Sequence, residues 1–296
     1  MLSAEVTALR GKAIWALLFI VPALVSGLLM AAVLLTPLPD PDNPEVTEIL
    51  DLSGEPIARL FTEDRVEIPV VRMPKHLLHA IVAIEDDRFY RHRGIDPIGI
   101  GRALLHNIRA GKVVEGGSTL TQQLARNLSF GGERLGQQRT LARKLREALI
   151  TLKLEHKYSK EQILGLYWNT IYLGRGAYGL ERAAETYFGK SVRDLPEDQP
   201  LNLTLAEAAL LAALPQAPEY YSSDRERARE ALIARRDQVL NRMVEQGYIR
   251  QSEAEAVKME RRVRFHFEGR QLKGRPEQPD GDRAPYFVDY VVREIR

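Results

Sequence analysis

The stretch Pro74–Gly94, PKHLLHAIVAIEDDRFYRHRG, decides how the rest of the chain is read. After Pro74, the residues Leu77, Leu78, Ile81, Val82 and Ile84 recur at helical spacing, so the segment predicts an amphipathic helix. Glu85 follows Ile81 by one turn and Leu78 by two, which places a carboxylate on the apolar face. Partial desolvation and the like charge of Asp86 and Asp87 both favour its uncharged form, suiting it to proton transfer near neutral pH. A solvated acidic helix end is the plainer reading of the same residues, and charge pattern alone leaves it open.

Downstream the chain reads as almost wholly helical. Ser159 with Gln162, and Thr204 with Glu207, have the spacing of capping boxes that open helices ending near Tyr172 and Leu214. A charged amphipathic helix runs from about Asp224 to Gln246 and closes at Gly247. Two further stretches carry chemistry. Gly116–Arg126, GGSTLTQQLAR, suits a loop turning into a helix N-terminus, where backbone N–H groups and hydroxyls hold an anion. Ordinary helix capping is the alternative, and the missing Gly-Lys-Ser/Thr run excludes a nucleotide P-loop. In the helix that begins with Arg139–Glu147, RTLARKLRE, the residues Leu141, Leu145, Ala148, Leu149 and Leu152 are expected to form the buried stripe. Arg139, Arg143 and Glu147 then stand at i, i+4 and i+8 on another face beside Lys144. Such a row can neutralise a pyrophosphate, although a solvated face laced by ion pairs fits the spacing equally well.

Upstream, Glu45–Leu52 and the region Ile57–Val71 read as short β-like runs around the turn Ser53-Gly54-Glu55-Pro56. Residues 36–44, TPLPDPDNP, form a stiff linker. Residues 13–35 carry no charge and are long enough to span a bilayer. Arg10 and Lys12 before them, with Asp40 and Asp42 after, place the tail 1–12 in the cytoplasm and the rest of the chain outside. The absence of a small-x-small cleavage site favours a signal-anchor over a cleaved signal peptide.

Composition sets outer limits. The chain has 296 residues, a formal net charge of +2 and no cysteine. Disulfides and thiol nucleophiles are excluded, and no basic stripe points to nucleic acid. Of the six histidines, His76 and His79 lack a metal-binding signature, and only His92 falls within a chemistry-bearing stretch. No serine has lysine three positions later and no Lys-Thr-Gly or Lys-Ser-Gly run occurs, so the chain carries no transpeptidase site of the penicillin-binding type.

Taken in order, EDDRFYRHRG, GGSTLTQQLARN, RKLRE, EQILGLYWN and GRGAYGLERAAETYFGK resemble the five successive motifs of family 51 glycosyltransferases, across residues 45–250. The resemblance implies a mainly α, lysozyme-like fold of two lobes, with a short β-like N-terminal segment and one N-terminal transmembrane helix. Ile95–Ile108 falls where the smaller, membrane-facing jaw of that fold would be. It implies a peptidoglycan glycosyltransferase that joins lipid II to a lipid-linked glycan chain at the outer face of the bacterial cytoplasmic membrane, alongside other cell-wall synthesis proteins. By position, Glu85 matches the general base and Glu147 the second carboxylate, which assists the pyrophosphate directly or through a divalent cation such as Mg or Mn. Asp86, Ser118, Thr119, Gln123, Arg126, Arg139, Arg143, Lys144 and Asn169 match substrate-binding positions.

The chain departs from the family pattern at Gly165, where Glu is frequent, at Trp168 for Leu and at Arg126 for Lys. The segment Gly131–Gln138 is longer than usual, which leaves Arg134 as an alternative to Arg139. Residues 251–296 read as the start of an uncompleted linker and transpeptidase region. Two other functions remain against this reading: a lysozyme-like glycan-cleaving enzyme and a non-catalytic membrane scaffold. The cation row argues against cleavage, since a glycan carries no pyrophosphate, and intact carboxylates argue against a scaffold.

Overall fold

The structure is a computed structural model. It describes residues 46–50, 56–61, 67–112, 116–130, 133–134, 141–223, 225–260 and 265, with scattered helical positions between 20 and 35. Most of the 13–35 segment, the linker 36–44, Arg139 and nearly all of 261–296 lie outside the described residues. Among the described residues no helix is long and apolar enough to cross a membrane.

The chain is mainly helical. Strands β1 (Val46–Leu50) and β2 (Pro56–Phe61) pair antiparallel. Helices α1 (Lys75–Glu85), α2 (Pro97–Ala110) and α3 (Leu120–Asn127) follow. After a minimal hairpin of β3 (Ser129–Phe130) and β4 (Glu133–Arg134) come α4 (Leu141–Lys157), α5 (Lys160–Thr170) and α6 (Gly179–Phe188). Helices α7 (Leu205–Ala213), the single turn α8 (Pro218–Tyr221), α9 (Glu226–Glu245) and α10 (Gln251–Met259) complete the described chain.

Helix α7 is the hub. Ala208–Ala213 are all buried, as expected of a helix apolar on every side. Helices α1 and α9 pack on it and on each other, while α3, α4, α5 and α6 form a second, contiguous stack. Full capping boxes open α3 (Thr119 with Gln122), α5 (Ser159 with Gln162) and α7 (Thr204 with Glu207). In each, a side chain satisfies a backbone N–H that has no helical partner. Gly165 lies against Val70, where an added Cβ would come within 3.2 Å, so the small residue matches its neighbour.

The expected stripe on α4 is corrected by the structure. Leu145 is 61% exposed, whereas Glu147, Ile150, Thr151 and Leu154 form the buried i, i+3, i+4, i+7 face. The helix is rotated relative to its leucine pattern. Glu147 therefore enters the interior, only 1% exposed, because cations surround its carboxylate there.

The turn after α1 is held from several directions. Gly94 has φ +87°, and a Cβ on it would lie 2.6 Å from Thr151 Cγ2 of α4. A side chain is excluded on both conformational and steric grounds. Asp96 caps α2, accepting from the Ile98 N–H at 3.1 Å and from Arg88 Nε at 2.9 Å. Burial works against the Asp96 carboxylate, but the Gly99 N–H and the Arg88 guanidinium outweigh it and hold its pKa below the usual value.

Two outcomes follow. Gly94→Ala lowers the thermal midpoint by several degrees, corresponding to about 1–3 kcal/mol, as calorimetry would register. Because the folded-state pKa of Asp96 is depressed, its charge stabilises the fold above the unfolded pKa of about 4. That stability is lost as pH falls through the still lower folded value. The stability gap between wild type and Asp96→Asn should accordingly be present at pH 7 and close below about pH 4; urea titrations across that range would measure it.

Candidate active site

Glu85 ends α1 and stands in a cleft of about 780 Å³. One wall comes from the start of α3 and its preceding loop: Gly116, Gly117, Ser118, Thr119, Gln123 and Arg126. Asp96, Gly99, Arg102 and His106 line it from α2 and its cap, and Gln216, Arg235, Gln238 and Arg242 close the far side. The Glu85 side chain keeps 17% exposure. Gln123 Nε2 donates to Oε2 at 3.0 Å, and Arg235 Nη2 donates to Oε1 at 3.4 Å.

Asp86 points elsewhere. Its buried carboxylate accepts from His92 Nε2 at 3.0 and 3.1 Å and from the Leu120 N–H at 3.0 Å. Gly94 N–H donates to His92 Nδ1, which places the ring proton on Nε2. Thr119 Oγ1 donates to the Gly94 carbonyl and accepts from the Gln122 N–H. These bonds join the end of α1, the turn after it and the N-terminus of α3 into one unit. Asp86 and Thr119 reach the cleft wall, yet their polar atoms are already engaged. Asp87 pairs with Arg102 at 2.8 Å on the surface.

A second charged group surrounds Glu147 on α4. Lys144 Nζ is 2.7 Å from Oε1, Arg126 Nη2 is 3.5 Å from Oε1 and Arg143 Nη1 is 3.9 Å from Oε2. Among the described residues Glu147 Oε2 has no hydrogen-bond partner. Among the described residues three cations face this one carboxylate, which gives the group surplus positive charge. Arg126 also lines the cleft, where its Nη2 is 3.5 Å from Ser118 Oγ, while its buried Nε has no hydrogen-bond partner among the described residues. Arg126 is thus the residue that links cluster and cleft. A divalent cation does not fit at Glu147, because three positive side chains already occupy its surroundings. Among the described residues no group of three or more His, Cys, Asp or Glu converges elsewhere.

Other expected positions fall differently. Asn169 is buried with both ends of its amide on the Ile68 backbone, accepting from N–H at 3.1 Å and donating to C=O at 3.0 Å. It clasps the segment entering α1 and does not line the cleft. Glu147, Arg143 and Lys144 do not line it either. Arg139 is outside the described residues, and of Arg134 only the backbone is described.

The residues that sequence reasoning missed lie on the far wall. Arg235, Gln238 and Arg242 share one face of α9 at i, i+3 and i+7. That spacing was visible, but it is also the pattern of an ordinary solvated helix face. Tyr167 is the other omission. Its fully buried hydroxyl donates to Gln123 Oε1 at 3.3 Å. Burial first, and then the Glu85 charge, push its pKa well above the usual value, so it remains a donor.

Comparison with known proteins adds an independent line. The family model described as Transglycosylase matches residues 53–244. Penicillin-binding protein 1A of Aquifex aeolicus (strain VF5) is 42% identical over 270 residues, covering 86% of this chain and 35% of its own. Penicillin-binding protein 1F of Bacillus subtilis (strain 168) is 40% identical over 252 residues, covering 84% of this chain and 31% of its own. The chain therefore spans about a third of the length of these relatives. A crystal structure of penicillin-binding protein 1A from Haemophilus influenzae aligns with a TM-score of 0.41 at 23% identity, over 86% of this chain and 24% of that one. With most of its helical part matched, from β2 through α9, and with the Glu85 cleft inside the matched range, the chain belongs to the transglycosylase family.

Proposed function

We propose that the chain is a peptidoglycan glycosyltransferase that polymerises lipid II. The observation that carries this reading is the pairing of a hydrogen-bonded but accessible carboxylate, Glu85, with a cation-rich cluster reached through Arg126. A base and an anion clamp side by side are what transfer from a pyrophosphate donor requires.

In this mechanism Glu85 takes the proton from the 4-hydroxyl of the acceptor lipid II. The hydroxyl oxygen attacks the anomeric carbon of the lipid-linked glycan from the face opposite the pyrophosphate, so configuration inverts. The bond from that carbon to the pyrophosphate oxygen breaks, and the lipid pyrophosphate leaves with both electrons. Arg126 meets the charge that grows on the leaving group, backed by the positive charge of Arg143 and Lys144 around Glu147, with Arg139 or Arg134 as a further contact. Glu147 keeps the three cations together. Ser118 and Gln123 present polar atoms to the sugars along the cleft. The cation cluster favours this reaction over glycan cleavage, which has no pyrophosphate to discharge.

The wider setting belongs to the same reading. The fold is lysozyme-like, with α7 and α9 in the larger lobe and α2 in a smaller jaw. Ile98, Leu104, Leu105 and Ile108 of α2 are exposed, which suits contact with lipid headgroups. Residues 13–35 anchor the chain in the cytoplasmic membrane, with residues 1–12 inside and the cleft on the outer face.

Labelled lipid II supplied to the detergent-solubilised protein tests the proposal. Wild type should yield long glycan strands, and Glu85→Gln none, at an unchanged thermal midpoint. Strands from Glu85→Gln at a normal rate would refute the base assignment. Arg126→Ala should lower kcat/KM for lipid II by about 10–100-fold through loss of one charge-assisted contact. Steady-state kinetics that matched wild type would exclude Arg126 from the donor site.

A further inference from the structure

On the reading of Glu85 as the base, we infer that its carboxylate is clamped from both sides with the help of two residues outside the expected set, Arg235 of α9 directly and Tyr167 of α5 through Gln123. Each oxygen of Glu85 has its own holder. Oε1 accepts from Arg235 Nη2 at 3.4 Å, and Oε2 accepts from Gln123 Nε2 at 3.0 Å. Gln123 is held at its other end as well, where its oxygen accepts from the Tyr167 hydroxyl at 3.3 Å. Tyr167 is fully buried, and the acceptor-only Glu85 carboxylate keeps the amide NH₂ on its own side. Tyr167 therefore anchors the amide whose nitrogen meets Glu85.

Arg235 is fixed in turn. Its side chain is 16% exposed, Nη1 donates to Gln238 Oε1 at 3.1 Å, and its Nε has no hydrogen-bond partner among the described residues. An arginine so enclosed has its guanidinium plane set by the wall it lies in. It approaches Glu85 across the cleft from a residue 150 positions away in sequence. The result is a carboxylate oriented before substrate arrives, which spares reorganisation in the reacting complex. Arg235 and Tyr167 are positioning residues, since both act through Glu85.

The test uses the full chain in detergent, with lipid II as substrate, and compares Arg235→Ala, Arg235→Lys, Tyr167→Phe and Glu85→Gln. Arg235→Ala should lower kcat by about 10–100-fold while KM stays within about twofold. Arg235→Lys, which returns the charge without the fork, should restore part of that loss. Tyr167→Phe should lower kcat in the same manner by a smaller factor. Equilibrium binding of lipid II to Glu85→Gln, with and without Arg235→Ala, should give equal affinities. If the alanine variant fails to fold, Arg235→Gln takes its place with the same outcomes. A raised KM at normal kcat, or weakened lipid II binding, would make Arg235 a substrate ligand and overturn the clamp. Wild-type kcat in Arg235→Ala beside an inactive Glu85→Gln would sink the clamp alone; an active Glu85→Gln would remove the base reading on which it rests.

Discussion

The buried carboxylate of Asp86 ties the two chemistry-bearing stretches together. It accepts from His92 after α1 and from the Leu120 N–H that opens α3. Through it the end of one helix and the start of another become a single rigid corner, and Glu85 and Gln123 project from the two sides of that corner into one cleft. Gly94 allows the corner to close, because the chain there runs too near α4 for any side chain. A carboxylate without these donors would not remain in the interior. The same logic explains why neighbouring acids in sequence take unlike roles: Glu85 faces the cleft, Asp86 builds the scaffold and Asp87 pairs with Arg102 at the surface.

Charge is divided between two stations. At Glu85, one negative group meets one guanidinium and an amide, so the carboxylate stays accessible while its direction is set. At Glu147, one negative group meets three positive ones, and the balance favours an anion. Arg126 belongs to both stations, as it lines the cleft and reaches Glu147. Removing Glu147 would leave three cations in mutual repulsion beside the cleft. Loss of activity on its substitution therefore need not signify a proton-transfer role.

Much of this was legible in the sequence, for physical reasons that differ by element. Capping boxes at Ser159 and Thr204 were readable because the hydrogen bonds involved are local and span three residues. Glu85 was readable because helical periodicity places it relative to Ile81 and Leu78. The α4 stripe was misread because leucines outnumber the other apolar residues there, whereas packing of the helix follows Ile150 and Leu154. Asn169 lies in a recognisable motif, but its bonds to Ile68 depend on a contact 101 residues away. Arg235 was invisible for the same reason: a charged residue on a long helix reads as solvated until the fold sets a carboxylate opposite it.

The account rests on one claim, that Glu85 faces the acceptor hydroxyl while the Arg126 side of the cleft takes the pyrophosphate of the donor. An experimental structure of the Glu85→Gln protein with lipid II in both subsites tests it most directly. The account predicts the acceptor 4-hydroxyl within hydrogen-bond reach of residue 85 and the donor pyrophosphate against Arg126, Arg143 and Lys144. A pyrophosphate seated instead on Arg235 and Arg242, or an acceptor hydroxyl remote from residue 85, would contradict it.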